Sequence, residues 1–298
     1  MRLAGVAIDD TFAEAFGMRA TRLVVTADTI RWARTAGESM TGFATSVIGC
    51  GVEAAIEREL PRDDTPDGRP GVSVLLFAVS REALAKAVRD RVGQCVLTCP
   101  GTACFAGLAG DAQVPLGRVL RYFGDGYQSA KRIGERRYWR IPVMDGEFVC
   151  EDMAGVQRAV GGGNFLMLGR SRAAVLAAAE RAIAAMRQVP EAIMPFPGGI
   201  ARSGSKVGSR YKFLPASTNE TFCPTLKGIV ESGLEPEVAS VLEIVIDGLT
   251  EKAVGAAMAA GIRAACAAGA EGGLVRITAG NYGGKLGPFH FHLHELLR

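Results

Sequence analysis

The chain has 298 residues, 48% hydrophobic and 22% charged, with a formal net charge of +3. That length suits one large domain or two of about 150 residues, and the composition supports a substantial core. The charge is too mild to argue for a nucleic-acid surface, and no apolar run reaches the ~18 residues of a membrane span, so neither partner is expected.

Four segments share one pattern, an apolar strand, a polar cap and a helix with one apolar stripe. "TRLVVTAD" ends at Asp28 and is followed by Trp32, Ala36 and Met40; "VSVLLFAVS" ends at Ser80, before Leu84, Val88 and Val92. "NFLMLGRS" ends at Ser171, before Val175, Ala179 and Ile183; "LEIVIDGLT" ends at Thr250, before Val254, Met258 and Ile262. Steps of four residues lie on one helix face, and Asp, Ser and Thr oxygens satisfy free helix N–H groups. A second strand is expected after each helix, at 42–49, 94–99, 198–205 and 273–280.

The order is β-α-β-β-α-β, twice. The expected fold is α+β, with two ferredoxin-like (split βαβ) lobes from an internal duplication. Residues 1–155 form the N-terminal lobe with a β-hairpin extension, and 156–298 the C-terminal lobe. Gly-Asp-Gly and Asp-Gly turns within 118–152 predict an antiparallel β insertion between them. Its basic stretch "KRIGERRYWR" (131–140) reads as a solvated face or as a site for an acidic ligand or partner. The second half is the longer one, and its excess falls around 205–228, where a loop is the natural place for it.

Gly-rich segments stand at 124–128, 161–165, 195–199 and 279–287. Such turns expose backbone N–H groups or let a ligand approach, and they also form for purely structural reasons. "AGNYGGKLG" (279–287) is not a Walker A loop, because Ala279 and Leu286 occupy positions that need Gly and Ser/Thr. "HFHLH" places the three histidines at 290, 292 and 294 on one face of a strand. The outer two lie roughly 13 Å apart, so all three do not share one ion, and partly buried imidazoles are the simpler reading. Cys95, Cys99 and Cys104 lack zinc-ribbon spacing, and no metal is expected. The cysteines number seven, an odd total that fits reduced thiols in a cytoplasmic protein; no apolar leader is read at the N-terminus. No Gly-x-Ser-x-Gly elbow occurs, so acyl chemistry here would be direct transfer between two bound substrates.

Glu243 interrupts the apolar run "VLEIVIDGLT" (241–250). Gap-free alignment of the caps at Ser80 and Thr250 pairs Glu243 with Ser73, Val245 with Leu75 and Asp247 with Phe77. Leu242, Ile244 and Ile246 face the helices, so Glu243 points to the other face of the sheet. If that face is covered, its carboxyl has a raised pKa and trades protons near neutrality; if it is solvated, the carboxylate has no special role.

"DDTFAEAF" (9–16), "TGFATSVI" (41–48), "TPDGRPGV" (65–72), "FGDGYQ" (123–128), "GGNF" (162–165), "PFPGGI" (195–200), "SKVGS" (205–209), "FLPASTN" (213–219) and "AGNYGGKLG" (279–287) recur in this order in one family. From about residue 5 onward the chain resembles the formylmethanofuran:tetrahydromethanopterin formyltransferases. The resemblance implies formyl transfer between N5 of tetrahydromethanopterin and the amine of methanofuran in one-carbon (formaldehyde oxidation) metabolism. Both are co-substrates, and no tightly bound cofactor is implied. It also implies a homotetramer and, in the methylotroph branch, membership of a formyltransferase/hydrolase complex. The family's catalytic carboxylate lies in a "YEIVING"-like strand that matches "LEIVIDG", which carries the role to Glu243. Lys206, Arg210, Lys212 and Lys285 are candidates for the acidic tails of the two carriers. Asn164, Gly198, Gly199, Ser205 and Asn281 are candidates for the formyl and pterin groups. The competing expectation is a non-catalytic cofactor-binding or scaffold subunit. An RNA-binding module of the same fold would need aromatic strands that this chain lacks.

Overall fold

A computed structural model describes residues 1–298. The chain divides into two compact units, Met18–Ala159 and Met1–Gly17 with Val160–Arg298. The dividing points fall inside two long strands, β1 (Phe12–Thr26) and β8 (Met153–Gly169). The first seventeen residues therefore go with the C-terminal unit, not with the expected 1–155 lobe. Their backbone gives the reason: residues 12–15 pair antiparallel with the strand Phe289–His292.

In the Met18–Ala159 unit, β1 leads into α1 (Ile30–Thr41), β2 (Val52–Leu60), β3 (Gly71–Ala78), α2 (Arg81–Arg91) and β4 (Ala103–Ala106). Pairing is antiparallel throughout this set, in the order β2-β3-β1-β4. Strand β7 (Gly146–Glu151) adds in parallel to β4 and continues antiparallel through β6 (Arg136–Val143) to β5 (Ser129–Ile133). Leu23, Val25, Val72, Val74 and Leu76 pack with Ala36, Met40, Leu84 and Val88 of the helices.

The N-cap of α1 is Thr29 rather than Asp28, its hydroxyl accepting from the Trp32 N–H. Two strands are also displaced from their expected places. Residues 47–50 form a helical turn, and the strand begins at Val52. Residues 92–96 form a π-type turn, and the strand begins at Ala103. Val92 and Val96 explain the second shift, since both are buried and extend the stripe of α2 by another turn.

In the other unit, β8 leads into α3 (Arg172–Met186), then β9 (Ser240–Gly248), α4 (Glu251–Ala265) and β10 (Leu274–Thr278). Strand β8 lies between β9 and β10, antiparallel to both. The segment expected as a strand at 198–205 is instead a tight turn, Pro197–Gly199, and a single bridge from Ala201 to Glu243. Caps Ser171 and Thr250 form as expected, and Val175, Ala179, Ile183, Val254, Met258 and Ile262 are all buried. Ile244 and Ile246 join that core with Phe165 and Met167. Glu243 thus lies on the face of β9 turned away from α3 and α4, among Val241, Leu166 and Phe222.

Candidate functional site

Glu243 is held from three sides. Its backbone exchanges both hydrogen bonds with Ala201, at 2.8 and 2.9 Å. Its neighbour across β8 is Leu166, and two residue pairs further along, on the same face, stands Asn164, opposite Val245. The Asn164 amide donates from Nδ2 to Glu243 Oε1 at 2.6 Å and accepts from the Gly280 N–H at 2.8 Å. An amide whose oxygen already serves a backbone N–H can present only its NH2 to the carboxylate, so Gly280 fixes which way Asn164 faces.

Burial pushes the Glu243 carboxyl above the ordinary glutamate value, and the Asn164 bond opposes that only in part. The same residue lines a cleft of about 580 Å³ with Ala201, Arg202, Asn219, Phe222 and Cys223. A carboxyl group with elevated proton affinity at the wall of a cleft of this size is chemically suited to exchange a proton with a bound acyl donor or acceptor.

Two residues of this region are absent from the sequence-based candidates. Glu14, fully buried, accepts N–H groups from Tyr282, Gly284 (2.8 Å) and Leu286 (2.7 Å). Burial alone would raise its pKa; the three N–H groups, with His290 nearby, outweigh that and hold it below the ordinary value. The glycine turn that resembled a phosphate loop therefore already spends its N–H donors on a carboxylate of its own chain. Tyr282 is the second. Its hydroxyl donates to the Ser205 carbonyl at 3.3 Å, and burial followed by the charges of Glu243 and Glu14 raises its pKa.

Glu14 makes a pH prediction whose sign is fixed. A carboxylate with a depressed folded pKa stabilises the fold above its unfolded value of about 4.5 and loses that contribution as pH falls through the folded value. Melting curves should therefore show the wild type losing stability more steeply than Glu14→Gln below about pH 4.5. Parallel pH profiles for the two proteins would contradict this.

The remaining candidates separate. Asn281 turns its amide back on the chain, donating to Thr11 Oγ1 at 3.2 Å and accepting from the Gly283 N–H at 2.9 Å. Ser205 reaches the site through its carbonyl. Gly199 has a packing reason to be glycine, since a Cβ there would stand 2.4 Å from Ile183 Cδ1; Gly198 meets no such neighbour. Lys206 is paired with Glu220, while Arg210, Lys212 and Lys285 are exposed, and no contact joins any of the four to Glu243. Two of the three histidines share a strand face as expected: His290 and His292 alternate in the strand Phe289–His292 and both lie against the Phe12 ring, while His294 departs from it, in a helical turn where it meets the Met1 amine.

Known proteins bear on this geometry. Residues 1–143 match the family model described as formylmethanofuran-tetrahydromethanopterin formyltransferase, and residues 146–296 match the one described as its proximal lobe. The chain is 63% identical to a formylmethanofuran–tetrahydromethanopterin formyltransferase of Methylococcus capsulatus, with 100% of each chain covered. It is 58% identical to a subunit of the formyltransferase/hydrolase complex of Methylorubrum extorquens, covering 99% of this chain and 97% of the relative. It also superposes on a chain in the crystal structure of that complex with methylofuran at a TM-score of 0.97, with 57% identity and coverage of 100% and 99%.

Proposed function

The chain belongs to the formylmethanofuran–tetrahydromethanopterin formyltransferase family, and on that premise we infer that Glu243 is the carboxyl group through which it transfers the formyl group. It is a formyltransferase of one-carbon metabolism, with methanofuran-type and tetrahydromethanopterin-type carriers as its substrates. The observation that carries the role of Glu243 is its position, desolvated at the wall of the cleft and aimed by Asn164.

The amine of the furan carrier attacks the formyl carbon, and the carbonyl oxygen becomes anionic in a tetrahedral intermediate. The pterin N5 gains a proton as the C–N bond to it breaks. A protonated Glu243 donates to the oxyanion, or carries the proton from the attacking amine to N5; either use needs a carboxyl whose proton affinity is raised by burial. Asn164 and the 280–287 turn form the wall beside it. Ser205 and Asn281 support that wall through the backbone and the turn, and Gly198 and Gly199 shape the approach to Ala201. Arg210, Lys212 and Lys285 are the cations open to acidic carrier tails, more so than Lys206, which Glu220 occupies.

Each unit is read as a ferredoxin-like lobe of a duplicated fold, with the strands between Ser129 and Glu151 as an addition to the first. The order β2-β3-β1-β4, and the placement of β8 between β9 and β10, support that reading. Membership of a formyltransferase/hydrolase complex is proposed for the chain, since the Methylorubrum relative is named as a subunit of one; the homotetramer is proposed on the family resemblance alone. No helix is long and apolar enough to cross a membrane.

The purified chain is expected to move the formyl group between the two carriers without added subunits, followed by the absorbance change of the pterin. Activity confined to multi-subunit preparations, with the isolated chain folded but inert, would favour the scaffold reading instead.

A further inference from the structure

The turn beside Glu243 is not held by its own sequence. Gly280, Gly283, Gly284 and Gly287 fall within eight residues, and Gly283 and Gly284 have φ of +74° and +73°. A segment so rich in glycine has many open conformations, so one of them must be selected from outside.

Glu14 is placed to do this. Its backbone N–H donates to the Gly280 carbonyl at 3.1 Å, and its side chain accepts from Tyr282, Gly284 and Leu286. Ala13 and Ala15 on either side are fully buried, and Gly287 packs directly onto the Ala15 carbonyl. From Gly280 the connection continues through its N–H to Asn164 Oδ1 at 2.8 Å, and from Asn164 Nδ2 to Glu243 at 2.6 Å. One unbroken hydrogen-bonded path thus joins the Glu14 backbone to Glu243, and the Glu14 carboxylate fastens the rest of the same turn, from Tyr282 to Leu286.

We propose that Glu14 is a positioning residue for formyl transfer, its carboxylate holding the Gly280–Leu286 turn in the form that keeps the Asn164 amide aimed at Glu243. The inference rests on the reading of Glu243 as the catalytic carboxyl. The chemistry explains why an acid stands here. The turn offers three N–H donors and wants only acceptors; a glutamine would set its own NH2 against one of them. An ionised carboxylate also makes the stronger, charge-assisted bonds. The titratable groups facing Glu14 are His290 on the strand side and Tyr282 within the turn.

The test compares Glu14→Gln, Glu14→Asp and Glu243→Gln with their combinations, each in the full chain as it is purified. Both carriers are supplied at saturation. Glu14→Gln is expected to lower kcat on the order of 10–100-fold, as a displaced catalytic group does, with each KM within about threefold of wild type. Glu14→Asp, which keeps the charge but shortens the reach, should fall between. In the Glu243→Gln background, Glu14→Gln should add less than about threefold, because its path ends at Glu243.

A Glu14→Gln protein with normal kcat and only a lower Tm overturns the proposal and leaves the role of Glu243 standing. A full additional loss in the Glu243→Gln background overturns it as well. A normal rate for Glu243→Gln alone removes both readings, so the two failures are told apart. Should the Glu14 variants not fold, amide exchange in the wild type decides. The N–H groups of Tyr282, Gly284 and Leu286 should be protected like strand amides, and exchange at open-loop rates refutes the clasp.

Discussion

Glu243→Gln is expected to lower kcat by ~10²–10³, the usual cost of losing one group that meets the developing oxyanion. The same substitution should leave Tm at neutral pH equal to or above that of the wild type. Gln keeps the shape and can still accept from Asn164, but it carries no charge to desolvate. The sign of the pH effect follows from the raised folded pKa of Glu243. Between its unfolded value of about 4.5 and the higher folded value, the native state holds more protons than the unfolded chain, so stability falls as pH rises through that window. The Tm difference between variant and wild type should therefore open on the alkaline side of the window and close below about pH 4.5. A folded Glu243→Gln enzyme with a normal rate would end the catalytic assignment. A rate loss matched by an equal loss of folded protein would turn Glu243 into a stability residue.

Glu243 is legible in the sequence for a definite physical reason. A carboxylate inside an apolar run contradicts the local pattern, and the cap at Thr250 fixes which face of β9 it occupies. Ser80 and Ser171 are legible in the same way, since each cap is the last polar residue before a buried stripe. At Asp28 the rule meets two adjacent residues able to cap, and Thr29 holds the extended backbone from which its hydroxyl reaches Trp32. The strand at Val52–Leu60 is hidden because "VEAAIEREL" mixes glutamates and arginine into the run and does not alternate. Glu14 carries the same signal as Glu243, an acid among Ala13, Ala15 and Phe16. What its position in sequence does not disclose is the partner, since the three N–H groups it accepts lie 268 to 272 residues away. The glycine turn at 279–287 reads as a set of exposed donors. That those donors face inward, onto a carboxylate, is a property of tertiary structure alone.

The closeness of that turn to residues 13–16 leads to the second large effect. A Cβ at Gly287 would stand 2.2 Å from the Ala15 carbonyl oxygen and 2.8 Å from both Ala15 C and Phe16 Cα. These are backbone atoms of a paired strand, so they do not swing aside as a side chain would. Gly287→Ala must instead push the turn outward, and the first hydrogen bond to break is its neighbour's, Leu286 N–H to Glu14 at 2.7 Å. Overpacking and an unpaired buried oxygen together put the cost on the order of 2–6 kcal/mol. Gly283→Ala is the informative contrast. There a Cβ meets nothing within 4 Å, so only the left-handed φ of +74° is penalised, by ~1–2 kcal/mol. Thermal unfolding should rank wild type above Gly283→Ala and that variant above Gly287→Ala, with transfer activity failing in Gly287→Ala even where it remains folded. If the two variants melted together, close backbone packing would not be what holds the turn against the strand.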